Sequence, residues 1–252
     1  VTLRETFDLY ANVRPVKSMP GTRSRFDDVD IITVRENTEG AYLAAEAKTS
    51  ECGTSAESKI VITRKGSERV TRYAFDLARA AGRKKVTLVH KANILKTVSG
   101  LFLEVAREVA ADYPDIQCDE MIVDATCMKL VMDPQQFDVI VTTNLFGDIL
   151  SDLCAGLVGG LGLAPGANIG HDAAIFEAVH GSAPDIAGRR IANPCALLLA
   201  SAQMLTHLDM ADRAERLHRA ITETIGAGDR TTPDLGGDGN TDRFADAIIE
   251  RL

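Results

Sequence analysis

Apolar runs rich in β-branched residues alternate along the chain with longer segments in which apolar residues recur at helical spacing. The short runs predict strands at Asp30–Val34, Ile60–Thr63, Val86–Val89, Met121–Val123, Phe137–Thr142 and Ala173–Phe176. The longer segments predict helices at Ser67–Ala81, Thr97–Asp112, Asp148–Leu157, Pro194–Leu208, Ala211–Ile225 and Thr241–Leu252. This alternation is typical of an α/β fold with a largely covered sheet.

Residues at the ends of these segments give helix-boundary signals. Ser67 and Thr241 predict helix starts, and Gly82 and Gly226 lie where helices should stop. One segment departs from the pattern, because residues Ala44–Ser58 are small, polar and weakly patterned. This segment predicts either a solvated hairpin loop or an arm.

Composition narrows the class of function. The chain has 252 residues, enough for one or two domains, and a formal net charge of −8. Its longest basic block is Arg83-Lys84-Lys85, which argues against nucleic acid or an anionic lipid surface as the partner. No apolar run reaches the roughly 18–20 residues of a membrane helix. Five scattered cysteines without a CxxC pair indicate reduced thiols. Small-molecule chemistry is therefore the favoured class.

Two acidic residues follow the predicted strand Phe137–Thr142. Asp148 and Asp152 are four residues apart, so a helix that begins near Gly147 places both on one face. Carboxylate oxygens beyond the carboxyl end of a strand suit Mg²⁺ or Mn²⁺. Asp148 has a structural explanation as well, because acidic residues are favoured at helix N-termini. Asp152 lies one turn deeper and gains little from that effect.

A second candidate site is the stretch His180-Gly181 to Gly188, which Pro184 prevents from forming a regular helix or strand. Such shaped loops bind ligands through backbone N–H groups. Asp185 could accept hydrogen bonds from ribose hydroxyls and repel a 2′-phosphate, which would favour NAD over NADP, or it could be a solvated loop residue. No GxGxxG motif follows a strand, so a bound dinucleotide would not be held by a Rossmann fingerprint.

Basic residues lie near the ends of several predicted elements. Arg14 precedes Pro15, Arg35 follows the strand Asp30–Val34, and Lys91 follows the strand Val86–Val89. Arginine forks suit a small polyanionic substrate, whereas the alternative for each is an ordinary surface ion pair.

Seven motifs together resemble the β-decarboxylating dehydrogenases, the family of isocitrate, homoisocitrate, 3-isopropylmalate and tartrate dehydrogenases. The motifs are FDLYANVRP, VRENTEGAY, HKANILK, NLFGDILSDLCAGLVGGLGLAP, HGSAPDIAG, NPCALLLASAQML and TPDLGG. They are most similar to those of the NAD-dependent isocitrate dehydrogenases. The resemblance implies an α/β, isocitrate/isopropylmalate dehydrogenase-like two-domain fold that is not a Rossmann fold.

The resemblance also implies a role for each candidate residue. Substrate carboxylates would be bound by Arg4, Arg14 and Arg35, and Asn93 would contribute to substrate binding. Tyr42 and Lys91 would be the catalytic acid and base. Mg²⁺ or Mn²⁺ would be held by Asp124, Asp148 and Asp152. The residues expected to bind NAD are Glu177, His180, Gly181, Ala183, Asp185, Ile186 and Asn193.

Oligomerisation follows from the same resemblance. Lys91, Asn93 and Asp124 would reach the neighbouring subunit's site, so the expected assembly is a homodimer or higher oligomer with shared active sites. The implied domains are a large domain from residues 1–9 and 159–252, a small domain from 10–39 and 64–158, and a dimer clasp from 40–63. Family members carry a further segment before LRETFDLYANVRP, so we expect the N-terminal part of the large domain to be absent.

The implied reaction is the oxidative decarboxylation of isocitrate to 2-oxoglutarate and CO₂. Homoisocitrate and 3-isopropylmalate are alternative substrates, and Asn37-Thr38-Glu39 favours isocitrate because 3-isopropylmalate dehydrogenases typically have Leu-Thr-Gly there. A non-catalytic regulatory subunit is an alternative of another class, and a piece that is inactive without its front segment is a third. The expected compartment is the bacterial-type cytoplasm, or the mitochondrial matrix in a eukaryote.

Overall fold

The computed structural model describes residues 2–43, 47–228 and 230–252. The helices are α1 (Thr2–Thr6), α2 (Arg64–Ala80), α3 (Val98–Ala110), α4 (Val123–Met132), α5 (Asn144–Val158), α6 (Cys195–His207), α7 (Ala211–Ala227) and α8 (Thr241–Ile249). The strands are β1 (Ala11–Lys17), β2 (Asp30–Glu36), β3 (Lys48–Thr49), β4 (Ala56–Glu57), β5 (Lys85–His90), β6 (Gln117–Ile122), β7 (Val139–Thr142), β8 (Pro165–Ile169) and β9 (Ala174–Ala178).

The chain forms two compact units. The first consists of Val1–Val13, Ile31–Ser151 and Asn168–Ala174, and the second of Arg14–Asp30, Asp152–Ala167 and Ile175–Leu252. Each unit is thus assembled from three separate stretches of the sequence. The expected large domain, small domain and clasp stay predictions.

The larger sheet has the strand order β6-β5-β7-β2-β1-β8-β9. β5 pairs in parallel with β6 and β7, and β7 pairs in parallel with β2. Val139 in β7 lies opposite both Val86 of β5 and Ile32 of β2. Parallel strands that are covered on both faces need nearly continuous apolar sequence, and all four residues of β7 are buried. The predicted α/β class is confirmed.

In the first unit, α2 and α3 pack against each other and against the parallel strands. Thr63 caps α2 by accepting a hydrogen bond from the Gly66 amide at 2.9 Å. The helix ends before Gly82, whose positive φ of +67° is the left-handed conformation that favours glycine, so this predicted stop is confirmed. Phe75 is fully buried and stacks on Tyr113 with ring centroids 4.9 Å apart.

In the second unit, α6, α7 and α8 enclose a separate apolar cluster. Its members include Leu199, Ile221, Ile225 and Phe244, all nearly inaccessible to solvent. Asn240 caps α8 by accepting a hydrogen bond from the Arg243 amide at 2.9 Å. Among the helices of the described residues, none is long and apolar enough to span a membrane.

The predicted strand Ile60–Thr63 is wrong, because residues 58–63 form no regular element. The Thr63 amide and hydroxyl both donate to the Glu39 carboxylate, at 3.0 and 2.7 Å, and the same hydroxyl caps α2. These hydrogen bonds replace a strand ladder. Thr63 rather than Ser67 is therefore the start signal of α2.

Several other boundaries are corrected. Helix α7 continues past Gly226 to Ala227 and is capped by Gly228, which has a φ of +70°. Helix α5 begins at Asn144, four residues before the predicted start at Asp148. Strands β1 and β8 and helix α4 were not predicted. β1 buries the polar residues Asn12 and Arg14, so it lacks the apolar run on which the prediction depends.

The predicted segment Ala44–Ser58 is a hairpin where the structure describes it. Residues 44–46 lie outside the described residues. β3 and β4 pair antiparallel, with Lys48 opposite Glu57 and Thr49 opposite Ala56. Both strands are exposed, which agrees with the solvated hairpin expected from the polar sequence. A role for residues 40–63 as a dimer clasp stays a prediction.

Candidate active site

The first unit brings three predicted site residues together. Arg35 lies near the end of β2, Tyr42 in the short 3-10 turn Ala41–Leu43, and Asp148 in the second turn of α5. The Arg35 Nη1 atom and the Tyr42 hydroxyl both donate hydrogen bonds to the Asp148 carboxylate. The Arg35 guanidinium also lies 4.9 Å from the centre of the Tyr42 ring. We call these three residues the Asp148 cluster.

The burial of Arg35 strengthens its electrostatic interactions within this cluster. Arg35 is 1% exposed, and a buried guanidinium needs a carboxylate partner to offset its lost hydration. Tyr42 is more exposed, and its pKa lies above the ordinary phenol value. The main cause is the hydrogen bond to Asp148, which favours the protonated phenol, with desolvation as a second cause. Tyr42 is thus held as a proton donor.

In the second unit, Arg14 and Asp152 form an ion pair, with Arg14 Nη1 3.6 Å from Asp152 Oδ1. Asp148 and Asp152 follow one another by one turn along α5, as predicted. Each carboxylate is accompanied by a guanidinium, which offsets their mutual repulsion. Two carboxylates one helical turn apart offer the hard oxygen ligands that a divalent ion such as Mg²⁺ prefers. Within the described residues, no group of three or more histidine, cysteine, aspartate or glutamate side chains could hold a metal ion.

The third predicted metal ligand, Asp124, lies in the first turn of α4, where it accepts a hydrogen bond from Lys91 Nζ. That hydrogen bond lowers the pKa of the exposed Asp124 carboxyl. Asn93 lies in the exposed turn after β5. Lys91 and Asp124 therefore form a second pair of the first unit, and Arg4 lies in α1 of the same unit.

The second unit contains a cavity of about 680 Å³ that is lined by the loop after β9 and by the residues before α6 and α8. This volume lies within the range of small-molecule sites. Five of the predicted cofactor residues line it, namely His180, Gly181, Ala183, Ile186 and Asn193. Loop backbone, the Asn193 amide and the charged side chains of Arg190, Asp234 and Asp242 surround this space, so it offers hydrogen-bond donors and acceptors to a polar small molecule.

Glu177 and Asp185, the other two predicted cofactor residues, do not line this cavity. Glu177 is partly buried within β9, and Asp185 is exposed in the 3-10 turn Pro184–Ile186. Their cofactor roles stay predictions. Ala183 has a positive φ of 43°, a conformation that shapes the loop immediately before Pro184.

Three residues of these sites were not predicted. The buried Asn144 accepts hydrogen bonds from Arg35 in the first unit. In the second unit, Asp234 accepts a hydrogen bond from Asn193 Nδ2 at 2.9 Å, and Gly162 leaves the space that this pair occupies. Asn144 and Gly162 lie within the motif NLFGDILSDLCAGLVGGLGLAP and Asp234 within TPDLGG, so their motifs were the available signal.

The sequence profile of the isocitrate/isopropylmalate dehydrogenase family matches residues 1–248. The chain belongs to this family. Its members are decarboxylating dehydrogenases, so the family assignment supports an enzyme. The resemblance expected from the seven motifs is confirmed.

Individual family members share about half of their residues with this chain. A mitochondrial NAD-dependent isocitrate dehydrogenase catalytic subunit 6 of Arabidopsis thaliana is 54% identical over the whole chain, which covers 67% of that protein. A 3-isopropylmalate dehydrogenase of Archaeoglobus fulgidus is 53% identical and covered to 76%. A mitochondrial NAD-dependent isocitrate dehydrogenase regulatory subunit of Dictyostelium discoideum is 50% identical and covered to 70%.

A solved structure confirms the predicted fold. The crystal structure of isocitrate dehydrogenase from Methylococcus capsulatus superposes with a TM-score of 0.96 at 62% identity. The superposition covers all of this chain and 75% of that one. The relatives therefore span both substrates of the family name, and the chain corresponds to two thirds to three quarters of their lengths.

Proposed function

We propose that the protein is an NAD-dependent, Mg²⁺- or Mn²⁺-dependent dehydrogenase that converts isocitrate to 2-oxoglutarate and CO₂. The observation that carries this proposal is the Asp148 cluster, in which a buried arginine and a tyrosine donate to a helix carboxylate followed one turn later by Asp152. Such an arrangement suits a substrate that carries carboxylates and a hydroxyl. The isocitrate dehydrogenases among the relatives support the choice of substrate.

The chain's own residues would bind the substrate and move two protons. Arg4, Arg14 and Arg35 would each pair with a substrate carboxylate. Lys91 Nζ would take the proton of the 2-hydroxyl as the hydride leaves C2, and the Tyr42 hydroxyl would return a proton to the carbon that loses CO₂.

Asp148 and Asp152 would hold the divalent ion. When bound, that ion supplies Lewis-acid stabilisation of negative charge on the substrate oxygens. The cavity of the second unit would hold the adenosine of NAD, which supplies the hydride acceptor. Asp185 would favour NAD over NADP, because its carboxylate repels a 2′-phosphate.

Lys91 lies beside Asp124 rather than among the residues of the Asp148 cluster. We therefore propose that Lys91, Asn93 and Asp124 serve the site of a neighbouring copy in a homodimer or higher oligomer. Mixing the Lys91→Met and Asp148→Asn variants tests this arrangement, because each has lost a different half of a shared site. Exchange of subunits should restore part of the activity. Independent sites would leave the mixture as inactive as its components.

A second candidate is 3-isopropylmalate dehydrogenase, which the 53% identical archaeal relative favours. The sequence Asn37-Thr38-Glu39 supports isocitrate by resemblance, whereas the Glu39 carboxylate itself accepts hydrogen bonds from Thr63 at the start of α2. Homoisocitrate is a third possible substrate. A regulatory subunit without catalysis is supported by the Dictyostelium relative and opposed by the intact Arg35, Tyr42, Lys91 and Asp148 set.

The test is reduction of NAD⁺ by purified protein with Mg²⁺ and, in parallel, isocitrate, homoisocitrate or 3-isopropylmalate. We expect isocitrate to give the highest kcat/KM, with 2-oxoglutarate as the product, and NAD⁺ to be preferred to NADP⁺. A higher kcat/KM for either alternative would reassign the substrate. Turnover with none of the three would contradict catalysis by this chain, as expected of a regulatory subunit or of a piece that is inactive without its front segment.

Two lysine variants test the catalytic assignment. Lys91→Met should lower kcat by at least about 100-fold, the usual contribution of a general base. Lys65→Met is the matched control, because Lys65 is exposed on α2, and it should retain wild-type activity. Unchanged turnover in Lys91→Met would contradict the assignment of the base.

A further inference from the structure

Arg35 is a long charged side chain in a fully buried position. It is 1% exposed, and its aliphatic stem crosses the start of α5. A Cβ atom at Gly147 would lie 2.5 Å from the Arg35 Cγ atom, so no other residue type fits there without displacing the arginine. The position of the guanidinium is thus set by its contacts with the first turns of α5.

Asn144 makes two polar contacts with this guanidinium. Its Oδ1 atom accepts from Arg35 Nε at 3.1 Å and from Arg35 Nη2 at 2.8 Å. These two donors lie on one edge of the guanidinium plane, so a single acceptor between them fixes the orientation of the plane. The remaining Nη1 atom donates to Asp148.

Asn144 is itself held in place. It is 1% exposed, and its Nδ2 atom donates to the Glu39 carbonyl oxygen at 2.9 Å. The side chain therefore uses one end as an acceptor and the other as a donor. Asparagine is suited to this position, because aspartate would neutralise Arg35 and would place a carboxylate oxygen against the Glu39 carbonyl.

We propose that Asn144 is a positioning residue that acts through Arg35 by fixing the guanidinium plane toward Asp148 and the substrate carboxylate. The inference rests on the proposed function, in which Arg35 binds that carboxylate. It holds for either isocitrate or 3-isopropylmalate, because both offer a carboxylate to Arg35. Asn144 needs no contact with substrate for this role.

A double-mutant cycle tests the inference with the full chain and the substrate that the wild-type protein turns over. Asn144→Ala should lower kcat/KM by about 10- to 100-fold, the range expected for a residue that orients a binding group. The loss should come mainly from a higher KM for the hydroxy acid, while the KM for NAD⁺ changes less than about twofold. In an Arg35→Lys background, Asn144→Ala should lower kcat/KM by less than about threefold, because its effect depends on the guanidinium.

The matched control is Asn168→Ala. Asn168 is buried in the same unit and accepts hydrogen bonds from Asn12 and Asn37 at 2.9 and 3.0 Å. Its effects on kcat/KM should be the same in both backgrounds. If Asn144→Ala also lowers kcat/KM by the same factor in the wild-type and Arg35→Lys backgrounds, Asn144 acts through general packing and the inference is wrong.

Asn144→Asp covers the case in which the alanine variant does not fold. It preserves the size and the acceptor, and it should raise the KM for the hydroxy acid by about 10-fold or more. A wild-type KM in this variant would overturn the inference. Turnover of 3-isopropylmalate instead of isocitrate would reject the proposed substrate, yet a coupled cycle would still support the role of Asn144. Turnover of isocitrate with additive effects of the two substitutions would support the proposed substrate and reject the role of Asn144.

Discussion

The Asp148 cluster of the first unit and the cavity of the second unit are built in opposite ways. The cluster joins charged side chains around a fully buried arginine, whose Nε, Nη1 and Nη2 atoms all make hydrogen bonds. The cavity is an open space of about 680 Å³ edged by loop backbone, with exposed residues and a left-handed residue at Ala183. The Asp148 cluster holds charged groups at fixed positions, whereas the cavity offers a space of defined shape.

This difference predicts how each site responds to change. A buried charge cannot exchange a lost partner for water, so its interactions are strong and their loss is costly. A cavity formed by loop backbone depends on steric fit, and exposed charges at its edge are weakened by solvent. Substitutions in the cluster should therefore affect catalysis strongly, whereas those around the cavity should affect cofactor affinity more moderately.

Asp148→Asn should have the largest effect. The amide preserves the shape but removes the charge that Arg35 and Tyr42 both contact, so we expect kcat/KM to fall by at least about 100-fold. The melting temperature should also fall, because Arg35 loses its carboxylate partner. Asp112→Asn is the control, since Asp112 forms an exposed ion pair with Arg72. Comparable activity in the two variants would abolish the distinction between the cluster and an ordinary surface pair.

Gly162→Ala tests the cavity by steric change alone. The added Cβ atom would lie 2.8 Å from Asp234 Oδ2 and 3.0 Å from Asn193 Nδ2, so one of these side chains must shift. We expect the Kd for NAD⁺ to rise about 10-fold, equivalent to about 1.4 kcal/mol, while kcat at saturating NAD⁺ is retained. Gly156→Ala is the control, because outside its chain neighbours and the adjacent backbone of α5 no atom lies within 4 Å of the added Cβ. Calorimetric titration with NAD⁺ measures both, and equal affinities would show that the Asn193–Asp234 pair does not determine cofactor binding.

Glu39→Gln should give a smaller effect that depends on pH. Burial raises the pKa of the Glu39 carboxyl, although hydrogen bonds from Thr63 oppose the rise. Between the ordinary and the raised pKa, the folded protein retains a proton that the unfolded chain has lost, so Glu39 reduces stability as pH rises through that window. The free energy of unfolding of Glu39→Gln, measured with denaturant from pH 4 to 7, should therefore increase relative to that of the wild-type protein as the pH rises. Glu57→Gln, in the exposed hairpin, is the surface control. A shift of opposite sign for Glu39→Gln would refute the assignment.

Asp242→Asn should have the smallest effect. Asp242 lines the edge of the cavity and pairs with Arg190 at 3.3 Å, and both side chains are exposed. We expect the Kd for NAD⁺ to change less than about twofold and the stability by less than about 1 kcal/mol. Titration calorimetry and thermal unfolding measure the two quantities. A 10-fold loss of NAD⁺ affinity would mean that charge as well as shape governs this cavity.

The buried parallel strands could be predicted from sequence because their environment is uniform. β5 and β7 are covered by helices, so both contain nearly continuous apolar runs that are visible without any structure. β1 could not be found in this way, since it carries the buried polar residues Asn12 and Arg14. The false strand Ile60–Thr63 has the composition of a strand, but Glu39 and the start of α2 take up the hydrogen bonds of Thr63.

Some residues of the candidate site could likewise be predicted from the sequence, and others could not. The spacing of Asp148 and Asp152 placed both carboxylates on one helix, because helical periodicity acts over neighbouring residues. Asn144 and Asp234 could not be found from spacing. Asn144 meets Arg35 across 109 positions and Asp234 meets Asn193 across 41, so only the fold brings them together. Both residues hold another side chain in place by hydrogen bonds, and a single asparagine or aspartate in a sequence does not indicate such a role.

The start of α5 carries a constraint on chain length as well as on residue type. Asn144, Gly147 and Asp148 meet Arg35 from one helix face, and a single inserted residue between them would rotate the later positions by about 100°. Substitutions here can be graded in effect, but an insertion or deletion would prevent the three residues from contacting Arg35 together. The exposed hairpin formed by β3 and β4 has no comparable register with a buried group, so related chains can differ there in length while residues 144–148 keep their spacing.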